Sequence, residues 1–381
     1  MALLFWEGFD SITTWQEMFS MIPNFVTTWD LSQGGATIAT NWSSTSGRYG
    51  GGSTYPGVAD GWGRIYLSSI PSEVYTGRAI YLGITAAGPV CGIVCFWGND
   101  KNNAGYSQDG PAPDIWLEHA GAGVLRVYNS TNGASWSSSR YGAGSGVLIG
   151  TTPAGTFRPY SWQWIEVRCK MSSSNTTNDG IVEVWLNGTK IISNTSCITK
   201  SNNAATGYFG VNTNSSYGGA TDDIYVTDTT GAAPWNGRLG DVRITTAVPN
   251  WDVGANSGTP STGTSHWAVV DETSYNTTDY LIIPNVVTNT ERFYHTRLPT
   301  PAANIFAINP NIYALKSDAG VANIQPIIVA NASGYYTNAN TIVLTTSYLR
   351  YKDSITVNPE TGLPWTDTEF TNTQIGVVVV A

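Results

Sequence analysis

Apolar and polar residues alternate with a period of two along most of the chain, and helical periodicity is almost absent. The clearest unit begins at Trp164. Trp164, Glu166, Arg168 and Lys170 share one face, while Ile165, Val167 and Cys169 share the other. A polar loop from Met171 to Gly180 leads to a return strand, Ile181 to Leu186, whose Val182, Val184 and Leu186 form a second apolar face. Asn187-Gly188 follows, a pair suited to the positive φ angles of a tight hairpin turn, and Lys190 to Ile192 continues as the next strand. The same alternation predicts a first strand over Met1 to Trp6. Further strands are expected near Gly63 to Ser68, Arg78 to Ile84, Pro89 to Trp97, Asp114 to His119, Leu125 to Asn129, Gly207 to Asn212 and Asp222 to Thr227.

Asp228 to Gly237 then interrupts the pattern with Gly and Pro, which makes it the best boundary in the sequence. Composition shifts there too, since all four Cys and most of the 15 Trp precede it. Beyond it, strands are expected at Leu239 to Ile244, His266 to Val270, Asp279 to Ile283, Ala303 to Leu315, Asn323 to Val329 and Thr341 to Leu344. Thr366-Asp-Thr-Glu369 fits a capping box and predicts one short helix before the terminal strand Ile375 to Val380. That last strand is apolar on both faces. It therefore belongs in the middle of a core or beneath a partner chain, because an exposed edge of that kind aggregates. The fold class is all-β, with two consecutive antiparallel β-sandwich domains: residues 1–230, a linker at 231–237, and residues 238–381 as a second sandwich suited to assembly.

Composition excludes several functions. Only 12% of the 381 residues are charged while 12% are aromatic, so the chain folds on Trp, Tyr and β-branched packing and is not disordered. Its net charge of −9, with no basic cluster, predicts no nucleic-acid partner. No apolar run approaches the ~20 residues that span a bilayer, and Met1 to Trp6 lacks a basic flank, so no membrane partner and no export signal are expected. Cys91 and Cys95, four residues apart on one strand, lie about 13 Å from each other, beyond disulfide reach. Buried thiols are the expected state of all four Cys. The alternative is a bridge from Cys169 or Cys197 to one of the first pair.

Catalytic patterns are largely missing. There is no zinc-protease, nucleophile-elbow or phosphate-loop motif, and His119, His266 and His295 stand alone as hydrogen-bonded or surface residues. Glycoside hydrolysis needs two carboxyls at a fixed separation, and the acidic candidates are Glu7 with Asp10, Glu166 with Glu183, and Asp222 with Asp223. Glu166 and Glu183 beside Arg168 read as a solvated charge pattern, and Asp222 and Asp223 as weak calcium ligands, since adjacent strand residues point to opposite faces. No catalytic residue, metal or cofactor is assigned, and no enzyme is expected. Exposed aromatics are the remaining signal, because such rings stack on sugars and on protein partners alike. The candidates, among Gly and Ser in loops, are Trp42, Tyr49, Tyr55, Trp62, Trp136 and Tyr141.

Four phrases carry a resemblance: Phe5-Trp-Glu-Gly-Phe-Asp10, Ser46-Gly-Arg-Tyr-Gly-Gly51, the Trp164 to Asn187 hairpin, and Thr221-Asp-Asp-Ile-Tyr-Val226. With them, residues 1–230 resemble the concanavalin A-like lectin/glucanase jelly rolls of bacteriophage virion proteins. Asp228-Thr-Thr-Gly, Leu239-Gly-Asp-Val-Arg-Ile, Val270-Asp-Glu and Asn358-Pro-Glu-Thr-Gly-Leu-Pro-Trp look like the second sandwich that accompanies them. The resemblance implies a non-enzymatic accessory protein on the outside of a phage head or tail, assembled in the host cytoplasm, with other virion proteins and copies of itself as partners. The alternative is a tail-tip or fibre adhesin that binds host surface glycan. A polysaccharide depolymerase ranks last.

Overall fold

The computed structural model describes residues 3–10, 25–26, 42–43, 45–54, 64–65, 71–83, 95–97, 115–130, 146–200, 208–210, 220–254, 256–273, 276–329, 336–337 and 340–380. Among these, strands and turns dominate, and the one α-helix is Asp367–Thr371. Two compact units meet between Ile244 and Thr245. Each is all-β, and the strands pair antiparallel.

In the first unit an eight-stranded sheet runs in the order Thr189–Cys197, Gly180–Leu186, Gln163–Lys170, Glu73–Tyr81, Ala220–Asp228, Ser53–Thr54, Trp42–Ser43, with Leu3–Glu7 also paired to Ala220–Asp228. A five-stranded sheet, Gly146–Thr151, Leu125–Ser130, Ile115–His119, Cys95–Trp97, Tyr208–Gly210, forms the other layer. Alternation sets the register of the central hairpin: Ile165, Val167 and Cys169 oppose Leu186, Val184 and Val182, and all six are buried. Asn187 and Gly188 both have positive φ, +48° and +82°, as the tight turn requires. The two layers touch where Asn194 donates its side-chain N–H to the Ile149 carbonyl, and where a Cβ on Gly150 would meet Ile192 Cγ2 at 2.5 Å. Cys169 and Cys197 are free, buried thiols, and burial pushes Cys197 up to about 11, far from a reactive thiolate. Cys91, and the side chain of Cys95, lie outside the described residues.

The second unit is built on a six-stranded sheet in which Gln374–Val379 lies between Thr290–His295 and Asn323–Val329. The terminal apolar strand is thus central in its sheet. Ile308, Ile328, Trp365 and Phe370 form one buried cluster, and Ile324, Leu344 and Val379 another. The predicted capping box is present: Thr366 accepts the Glu369 N–H, and Glu369 accepts the Thr366 N–H. Two expected strands differ. Leu239 to Ile244 is not a strand, and Trp267–Val269 is a single 3-10 turn whose start is fixed by Asp252, which accepts the N–H groups of His266 and Trp267.

Candidate functional site

The site grows from an irregularity in the strand Ala220–Asp228. Its pairing with Glu73–Tyr81 shifts register between Asp222 and Tyr225, a β-bulge at which Asp223 takes a φ of +53°. Asp tolerates that left-handed region better than most residues. The bulge brings two consecutive carboxylates to one cluster, although strand alternation would send them to opposite faces. Asp222 accepts the Arg48 N–H at 2.8 Å and the Asp223 N–H at 2.8 Å. Asp223 accepts the Ile244 N–H at 2.7 Å, and its second oxygen is buried without a hydrogen bond, 3.8 Å from the Arg48 guanidinium.

Arg48 and Tyr49 come from the glycine-rich loop Ser46 to Gly51. Gly47 donates to the Gly51 carbonyl and Gly50 to the Gly47 carbonyl, and Gly50 has φ +92°. A Cβ on Gly51 would fall 1.7 Å from the Asp10 carboxylate, so only glycine lets Asp10 enter. Asp10 in turn follows Phe9, which is fully buried at φ +60° and donates its N–H to Glu7. Arg48 grips Asp241 with two parallel bonds of 2.5 and 2.6 Å. Tyr49 is 50% exposed, with the Arg243 guanidinium 4.1 Å and the Arg48 guanidinium 5.1 Å from its ring centre.

Residues 237–244 form a strap over the outer face of the large sheet. Its anchor is Glu166, 0% exposed, which accepts the Tyr225 hydroxyl at 2.6 Å, the Gly240 N–H at 3.0 Å and two Arg238 N–H groups at 3.1 and 2.6 Å. Thr227 donates to the Gly237 carbonyl, Leu239 donates to the Tyr225 oxygen, and Ile244 fills the space over Gly8, where a Cβ would come within 2.7 Å of its carbonyl. Arg238 also lies 4.4 Å over the Trp185 ring. The expectation of a solvated charge pattern is therefore corrected. Glu166 is sealed under the strap, and Glu183, 5% exposed, is held by Arg168 and Lys190. Each carboxylate is paired with cations, Glu166 with Arg238 and Glu183 with Arg168 and Lys190.

Burial governs the remaining electrostatics. It raises Asp222 to about 8, helped by the charge of Asp223, and raises Asp223 to about 7 against the pull of the Ile244 N–H and Arg48. Burial also raises Asp10 to about 6, opposed by the Gly52 N–H and Arg243. Among the described residues no three His, Cys, Asp or Glu side chains converge as metal ligands, and the cation beside Asp223 is Arg48.

Of the aromatic candidates, Tyr49 is in this cluster. Trp42 lies in a short strand opposite Thr54, with its side chain outside the described residues, as are Tyr55, Trp62, Trp136 and Tyr141. All three His make hydrogen bonds: His119 accepts from Gly123 N–H, His266 meets Glu291, and His295 meets the Thr296 carbonyl. Sequence reasoning missed Arg48, Asp241 and Arg243. Their signal was present in the short Gly-rich phrases around them, which mark close backbone approach.

The sequence matches no protein-family model and no curated protein. Solved structures are similar to it at low identity. An alginate lyase, Aly36B, in complex with alginate trisaccharide is 12% identical over 59% of this chain and 97% of its own, with a TM-score of 0.35. A conserved carbohydrate esterase from Shiga toxin-encoding bacteriophage phi24B is 14% identical over 53% and 98%, with a TM-score of 0.31. The exoplasmic/lumenal domain of VIP36, in metal-free form, is 12% identical over 58% and 98%, also with a TM-score of 0.31. At these scores the likenesses carry no argument about activity or ligand, and the sandwich rests on the chain's own strand pairing. The expectation of a non-enzyme is corrected all the same: alginate lyases and a carbohydrate esterase are among the solved structures to which the chain is similar, and missing motifs alone do not make a non-enzyme.

Proposed function

We propose that the chain binds glycan through the face made by Tyr49, Asp241 and Arg243, as a component of the exterior of a phage particle. The observation that carries the reading is the half-exposed Tyr49 ring with the Arg243 and Arg48 guanidiniums 4.1 and 5.1 Å from its centre, beside the partly exposed Asp241 carboxylate. An aromatic face stacks on the C–H face of a sugar, and a carboxylate and a guanidinium at its rim accept from and donate to hydroxyls. The phage setting, the partners (other virion proteins and further copies of the chain) and the head or tail location rest on the resemblance of the sequence phrases. A capsid or tail decoration protein and a tail-tip adhesin both fit it.

A carbohydrate-cleaving reading has one observation in its favour. Asp10, raised to about 6 and facing Arg243, titrates near the pH at which a general acid or base works. One experiment separates the readings. The full chain is applied to an array of bacterial surface polysaccharides, and bound spots are assayed for new reducing or unsaturated ends. Retention without new ends supports binding, new ends that vanish with Asp10→Asn support cleavage, and no retention at all overturns the glycan reading.

A further inference from the structure

Two separate pieces of chain build the Tyr49 face: the loop 45–52 and the strap 237–244. They are fastened to the same two residues. Asp222 holds the loop through the Arg48 N–H, and Asp223 holds the strap through the Ile244 N–H. Arg48 then joins loop to strap through Asp241. The fastening is built on backbone conformations that L residues seldom adopt, φ +53° at Asp223 and +60° at Phe9, so the surroundings must hold it in place.

We propose that Asp222 and Asp223 are a proton-operated clasp, which assembles the Tyr49 face while the pair carries a proton and loosens it when both carboxyls ionise. This regulation rests on the reading of that face as the binding site. The charged groups facing the pair, among the described residues, are Arg48 from the loop, Asp10 from the turn after the first strand, and Asp241 from the strap. Glu7 and Arg243 act on Asp10 behind them. Arg48 is already committed to Asp241, so full ionisation leaves a buried pair of carboxylates with one shared cation, 3.8 Å from Asp223 and without a hydrogen bond to it.

The sign follows from the raised values. Both groups hold their protons more tightly in the fold than in the open chain, so the stabilisation is complete below about pH 4 and is lost as pH rises through about 7 and 8. Asp223→Asn removes one of the two ionisations, so that the pair can no longer be doubly charged, while keeping an acceptor for the Ile244 N–H and a side chain that tolerates positive φ.

Amide hydrogen exchange on the full chain, corrected for the intrinsic pH dependence of exchange, tests this without any glycan. The Arg48 and Ile244 amides should lose protection about tenfold or more between pH 6 and pH 9, while the Gly240 amide, which donates to Glu166, keeps its own. Asp223→Asn should flatten the response. Equal protection at both pH values in the wild type, or an undiminished loss in Asp223→Asn, overturns the clasp. Retention on the polysaccharide array is read separately at the same two pH values. A clasp that opens in a chain that binds no sugar refutes the glycan reading alone.

Discussion

Glu166→Ala lowers the stability of the first sandwich by about 3 kcal/mol, the lower end of the range for breaking a buried ion pair. The carboxylate is fully buried and takes four hydrogen bonds, from the Tyr225 hydroxyl, the Gly240 N–H and two N–H groups of Arg238. Alanine leaves the Tyr225 oxygen, in a side chain 1% exposed, without its acceptor. Arg238 is 27% exposed and recovers part of its hydration, which keeps the loss from reaching the upper end. Glu166→Gln retains the shape and most of the bonds, so its cost is smaller, about 1 to 2 kcal/mol. Urea unfolding of the three proteins, followed by Trp fluorescence, measures the series. A Glu166→Ala loss below about 1 kcal/mol would mean that the strap does not depend on this carboxylate.

Gly376→Ala produces a comparable loss in the second unit, about 3 kcal/mol or more, for a different reason. Gly376 sits opposite Arg292 in the central strand Gln374–Val379, and a Cβ there would lie 1.8 Å from the Glu291 carbonyl oxygen and 3.0 Å from Arg292 Cα. Those atoms are backbone, and a ladder of bonded strands on both sides prevents a local shift. The Ala variant must part the strands Thr290–His295 and Gln374–Val379 or fail to fold. Expression as inclusion bodies, or exchange of the amides of both strands at rates near those of an unfolded chain, is the expected result. Wild-type protection in both strands would rule out the close approach.

Much of the fold is legible because alternation is a local property. The hairpin from Gln163–Lys170 to Gly180–Leu186 has the faces and turn that its residues specify, and the apolar run at 375–380, which fitted either a central strand or one beneath a partner chain, is central in its sheet. What escaped is non-local or depends on a break in the pattern. Leu239 to Ile244 alternates like a strand, yet its N–H groups go to Glu166 and Asp223 side chains, distant in sequence. The capture of Gly240 and Arg238 by Glu166 likewise turns an outward-facing carboxylate into a buried one, which no period-two reading reveals. At Asp222 and Asp223 the bulge reverses the rule that consecutive strand residues diverge. Tyr49 was legible as an exposed aromatic in a Gly-rich loop. Arg243 beside its ring was not, since it lies nearly 200 residues downstream.

Titration of a polysaccharide fragment retained on the array into the wild type, Tyr49→Phe and Tyr49→Ala most directly tests whether the Tyr49 face receives the sugar. Phe keeps the ring and should bind within about threefold of the wild type, whereas Ala removes the stacking surface and should weaken binding about tenfold or more with the fold unchanged. Equal affinity for all three proteins would place the glycan elsewhere and contradict the site.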